Sequence, residues 1–141
     1  MKRTLAQIRN DYNVLLAVAD KKMPVKLAYA IGRNIDKLSA EVERAEKERI
    51  KLCETYADKD ADGKPVMTKS VIDGQEVSGY QITDQDCFGK QLSELYATEI
   101  DIDLIQVSEG VLDQLDSDRY DPLTPAQIHD LYWMLKEDEK C

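Results

Sequence analysis

The sequence predicts an α+β fold, mainly helical. An N-terminal antiparallel helix pair contains one long coiled-coil-like helix. A small antiparallel β-sheet and two or more shorter helices follow. Three observations carry this. Ala28, Ile31, Ile35, Leu38, Val42, Ala45, Arg49, Leu52 and Tyr56 recur in alternating steps of three and four, the heptad pattern of helix packing. Asp73-Gly74, the dipeptide of a tight type I′ turn, separates two short strand candidates. Thr124-Pro125-Ala126-Gln127 is a capping box with proline at the first helical position.

The elements follow in order. Thr4 and Gln7 form a first capping box, and Leu5, Ile8, Tyr12, Leu15, Leu16 and Ala19 recur at helical spacing. They predict a helix over about residues 4–20. Lys21-Lys22-Met23 is a short link, and Pro24 suits the first turn of a second helix. That helix carries the heptad seam to Tyr56 and is about 50 Å long at 1.5 Å per residue. Glu43 and Lys47 add a surface pair four residues apart. The first helix is half as long, so it covers only the first half of the seam. The second half needs cover from the rest of this chain or from a second chain.

Residues 66–72 and 76–82 read as the strands of a hairpin. Thr83 is placed to cap a third helix with Asp84 and Asp86 in its first turn and Phe88, Leu92, Leu95 and Tyr96 on its apolar face. At Glu99 the period shifts to two. Ile100, Ile102 and Leu104 alternate with Glu99, Asp101 and Asp103, a half-buried strand expected to pair with the hairpin. A short helical turn is expected near Val111, Leu112 and Leu115. A last helix from Thr124 carries Ile128, Leu131, Tyr132 and Leu135 on one face. The 141 residues are read as one domain. Its segments are a helical hairpin (1–60), a β-hairpin, helix and strand (61–107), and an acidic turn region with a C-terminal helix (108–141).

Composition narrows the function. Hydrophobic residues make up 43% and charged residues 33%, which does not fit disorder. The longest apolar run, Val14–Ala19, is far short of a membrane span. No apolar region with a cleavage site follows the basic start, so a cytoplasmic location is expected. Cys53, Cys87 and Cys141 form no CxxC pair, and His129 is the only histidine. No zinc pattern, disulfide framework or catalytic triad is expected. No phosphate loop, no GxSxG and no HExxH occurs, and the basic residues form no aromatic-interleaved stripe for nucleic acid. No cofactor is expected. The net charge of −9 is uneven: residues 1–50 hold eleven Lys/Arg against seven Asp/Glu, residues 51–141 eight against twenty-one. Two oppositely charged surfaces, solvated or attracting a partner, follow from this.

One stretch imitates a metal site. Asp58, Asp60 and Asp62 precede Gly63 in the spacing that opens an EF-hand calcium loop. The position of the closing glutamate is Lys69, the aliphatic position is Pro65, and no second loop exists. A helix stopped by glycine, with aspartates solvating the turn, is the simpler reading. The Glu99, Asp101, Asp103 row reads as the charged outer face of an edge strand. Arg49 on the seam sets register or oligomer state, or lays its stem along the apolar cluster with its head in water. Trp133, four residues after His129, is either an interaction anchor or a core anchor. The interface candidates are Ile35, Leu38, Val42, Arg49, Leu52, Tyr56, His129 and Trp133.

The run VERAEKERIKLCETYADKDADGKPV, then GYQITDQDCFGKQLSELYATEIDIDLIQV, then LTPAQIHDLYWML, resembles a family of small phage and prophage proteins of unknown function from tailed phages of Gram-positive bacteria. The matching positions are Tyr56, Asp60, Asp62, Gly63, Tyr80, Ile82, Phe88, Leu92, Leu95, Glu99, Ile100, Ile102, Leu112, Thr124 and Pro125. TKSVIDGQEVSG is longer than the turn usual in that family. The resemblance brings no catalytic residues. It implies a phage-encoded protein of the host cytoplasm, and the role that fits such an origin is a non-enzymatic virion structural or assembly accessory acting through protein contacts. Self-association as a dimer or binding to another phage or host protein is expected, with no membrane and no direct nucleic-acid contact. The alternative is an acidic regulator or DNA-mimic decoy, since residues 99–141 hold twelve acids against three bases.

Overall fold

A computed structural model describes residues 1–137. Cys141 lies outside them. The chain, read from the sequence as one domain, groups into two compact units. One joins residues 1–42 to the segment from Glu99 onward, and the other holds residues 43–98.

The first unit begins with a short strand, β1 (Lys2–Thr4), and a helix, α1 (Leu5–Val18). Thr4 caps α1 through the full box: its hydroxyl accepts from the Gln7 amide, and the Gln7 side chain accepts from the Thr4 amide. A long helix, α2 (Val25–Tyr56), follows and gives its first part to this unit. Further along come β4 (Glu99–Asp101), β5 (Val107–Ser108), α4 (Val111–Gln114), α5 (Pro125–Asp130) and β6 (Leu135–Lys136). The core collects Leu5, Ile8, Leu15 and Val18 of α1, Leu27, Ala30, Ile31 and Leu38 of α2, and Ile102, Leu104, Val107, Val111, Leu131 and Met134. The buried stripe of α2 is thus rotated from the expected seam at its start: Ala28 is exposed and Leu27 is buried.

Two sequence expectations are corrected here. β4 does not pair with the hairpin. It pairs antiparallel with β1, in the register Lys2↔Asp101, Arg3↔Ile100, Thr4↔Glu99. The alternation itself holds, because Ile102 and Leu104 are buried while Glu99, Asp101 and Asp103 are exposed. The partner is a three-residue strand, too short to leave a period in the sequence. The last helix does not continue to Leu135. It ends at Asp130, tightens into a 3-10 turn at Tyr132–Met134 and becomes β6, which pairs in parallel with β5. The tighter turn keeps Leu131 and Met134, three apart, both buried and leaves Tyr132 exposed. The connection after α4 is tied to the α1–α2 link: Asp121 accepts from the Lys22 amide at 2.7 Å, and Lys21 donates to the Pro122 carbonyl at 3.0 Å.

The second unit holds the end of α2, a hairpin of β2 (Met67–Ile72) and β3 (Gln75–Tyr80), and α3 (Gln85–Tyr96). Ala45, Cys53 and Ala57 are its buried residues, and Tyr56 meets Phe88 of α3 edge-on at 6.2 Å. The hairpin turns at Asp73 (φ 52°) and Gly74 (φ 78°), the two left-handed positions of a type I′ turn. Its base is sewn to the end of α2 by Asp58 N–H to Gln81 O at 2.8 Å and Val66 N–H to Asp58 O at 2.8 Å. Asp84, not Thr83, caps α3, accepting from the Cys87 amide at 3.3 Å. Thr83 is occupied elsewhere, its hydroxyl donating to Asp58 at 2.6 Å.

Candidate functional site

The calcium-like loop closes on itself. Asp58 directs both oxygens at Thr83, taking its amide at 3.3 Å and its hydroxyl at 2.6 Å. One oxygen of Asp60 accepts from the amides of Asp62 and Lys64, at 2.9 and 3.0 Å. This is an Asx turn that satisfies the backbone after α2, with Gly63 at φ 77° completing it. Asp62 is exposed. Among the described residues, no three His, Cys, Asp or Glu side chains gather in a way that could hold a metal ion.

The interface candidates scatter. Leu38 is fully buried within the first unit, where Ile35 is half-buried. Leu52 and Tyr56 are half-buried in the second unit. Its own chain therefore supplies cover for the later seam, with Tyr56 against Phe88. Arg49 turns back along its own helix. Its guanidinium donates to both oxygens of Glu46, at 2.9 and 2.5 Å, and to Cys53 Sγ at 3.7 Å. That fork holds its pKa above the usual arginine value. His129 is exposed and meets Tyr132 edge-on at 5.3 Å.

Trp133 belongs to the packing of the first unit. Its ring carries the Arg3 guanidinium at 5.7 Å, and its carbonyl accepts from the Gln106 amide at 2.9 Å. Its indole N–H is buried with no acceptor among the described residues. Arg3 also donates to Asp11 through Nε at 3.0 Å and Nη2 at 2.5 Å. Asp11 is buried, and that burial raises its carboxyl pKa against the lowering effect of Arg3.

Sequence reasoning missed two surfaces. On the first unit, Val25 and Tyr29 are exposed at the start of α2. Tyr29 borders a groove of about 420 Å³ with Lys26, Ile105, Val107 and Lys136. On the second unit, every residue from Met67 to Ser78 is exposed, including Met67, Val71, Ile72 and Val77. Each strand mixes polar and apolar residues on both faces, so no alternation marked a buried side or warned that there was none. A two-stranded hairpin exposed on both faces buries little of its own, and its outer edges carry unpaired backbone groups. These are properties of a contact surface. No family model, curated protein or solved structure matches the chain.

Proposed function

We propose that this is a phage- or prophage-encoded protein of the host cytoplasm that acts through protein contacts, as a virion structural or assembly accessory and not as an enzyme. The observation that carries the reading is the hairpin, whose strands expose Met67, Val71, Ile72 and Val77 together with open edges. Main-chain edges recruit strands from partners, and alternate side chains select among them. The carboxylates that suggested chemistry, Asp58 and Asp60, are engaged in structural hydrogen bonds. The phage origin rests on the resemblance of residues 42–66, 79–107 and 123–135 to the small phage proteins.

The test is to follow the tagged protein through infection. Sedimentation with particles or assembly intermediates is the expected result. Recovery with host DNA-binding proteins, released by salt, would favour the second reading, an acidic regulator or decoy. That reading is supported by the twelve acids against three bases of residues 99–141, whose contacts with a basic partner would weaken as salt rises.

A further inference from the structure

We infer that β2 is the dimerisation strand of this protein, pairing antiparallel with β2 of a second copy about a two-fold axis at Ser70. The inference deepens the protein-contact reading and rests on it.

The backbone decides which edge is free. Ile72↔Gln75 flanks a two-residue turn, and such a flanking pair exchanges both of its hydrogen bonds. The pattern then alternates, so Ile72, Ser70 and Thr68 point their backbone groups at β3. The Gln81 N–H bond to Val66 O at 2.9 Å continues the same series. Met67, Lys69 and Val71 therefore direct theirs outward. The described strand holds no proline and no bulge, and no helix lies over it. On the other edge, Gly79 weakens β3, and the Tyr80 hydroxyl reaches Glu54 of α2 at 3.4 Å.

Charge and length then choose the register. Two antiparallel copies related by a two-fold axis place each residue opposite one of the same face. Centred on Lys69, the pairing sets two lysines directly opposite, which is unfavourable. Centred on Val71, it runs into the turn at Asp73. Centred on Thr68, it runs into Pro65, which is already bridged to Lys59. Centred on Ser70, it pairs residues 68–72 of both copies. Lys69 then lies across from Val71 of the second copy, diagonal to that copy's Asp73, and the same contact repeats by symmetry. Ile72 lies across from Thr68. The result is a four-stranded sheet in which the exposed Val71 and Ile72 gain neighbours, and each ion pair is complementary. Lys69 keeps its own Glu76, at 3.5 Å.

A Ser70 pair on the axis is a non-hydrogen-bonded pair, with Cα atoms about 4.5 Å apart, within the range a disulfide spans. The experiment places cysteine at 70 in the full chain with Cys87→Ser and Cys141→Ser, leaving the buried Cys53. Light scattering at about 0.15 M salt, where self-repulsion is screened, gives the mass of the wild type. The expected results are twice the monomer mass for the wild type and a covalent dimer under mild oxidation for Ser70→Cys. Lys69→Cys and Val71→Cys should cross-link at least fivefold more slowly. Val71→Pro removes an outward amide and spares the hairpin's own ladder. It should give the monomer mass with an unchanged circular-dichroism spectrum. A monomeric wild type, a dimer indifferent to Val71→Pro, or faster cross-linking at 69 or 71 would overturn the inference. A monomer that still sediments with assembly intermediates would sink the β2 pairing and leave the assembly role standing, whereas a β2 dimer absent from every such fraction would sink the assembly role and leave the pairing standing.

Discussion

Asn34 shows how much one polar side chain can fix. It is fully buried on α2, and it grips the backbone of Ile105, accepting from the amide at 2.7 Å and donating to the carbonyl at 2.9 Å. It thereby pairs both backbone groups of Ile105, which lies between β4 and β5 outside any strand. Asn34→Ala should destabilise the protein by about 2–3 kcal/mol, because both backbone groups of Ile105 lose their partner. Denaturant unfolding checks this, and a change under 0.5 kcal/mol would mean water replaces the amide. Asp11 makes a different case. Burial raises its pKa in the folded state, so the native protein holds that proton more tightly than the unfolded chain. Its contribution to stability is then largest below the ordinary carboxylate range and falls as pH rises through the raised value. The unfolding free energy of wild type minus that of Asp11→Asn should decline as the pH rises from the ordinary carboxylate range through the raised value. A difference that grows with pH would show that the Arg3 ion pair outweighs burial. Neither residue announced itself in the sequence, because nothing local to an asparagine or an aspartate on a helix marks a partner as far along the chain as Ile105 or as buried as the Arg3 pair.

Among elements, the long helix and the hairpin were the most legible. Heptad spacing located α2, and Asp73-Gly74 located the turn, because each feature has a local cause: a 3.6-residue period and two left-handed backbone positions. Partners were not legible. The choice of β1 for β4 depends on contact between chain segments almost a hundred residues apart. The parallel pairing of β5 with β6 depends on where α5 stops. Arg49 was ambiguous for the same reason, since nothing on the seam foretold the fork onto Glu46. The turn permits a clean test. Gly74 sits at φ 78° with open space around it, so an added methyl meets backbone strain and no neighbour. Gly74→Ala should cost about 1 kcal/mol locally. Amide exchange across β2 and β3 should quicken about fivefold while the melting temperature holds. A global loss of stability would show that the hairpin supports more than itself.

At the scale of the whole molecule, the second unit begins inside α2 and returns at Thr98, so the chain leaves the first unit at Val42 and re-enters it at Glu99. Within that second unit, the core residues Ala45, Cys53 and Ala57 lie outside the hairpin, whose strands contribute none. Val66 and Gln81 are joined by a backbone hydrogen bond at 2.9 Å, the kind of pair that a two-residue type I′ loop connects. Replacing residues 67–80 by Asn-Gly should therefore leave helical content unchanged and shift the melting temperature by no more than about 3 °C. The loss of the Tyr80–Glu54 contact, an exposed one, accounts for that shift. The same variant should lose the dimer mass and the association with assembly intermediates together. A folded variant that keeps both would move the contact surface to the exposed start of α2, at Val25 and Tyr29. A variant that unfolds would mean the strands stabilise α2 and α3 through contacts their exposure does not register.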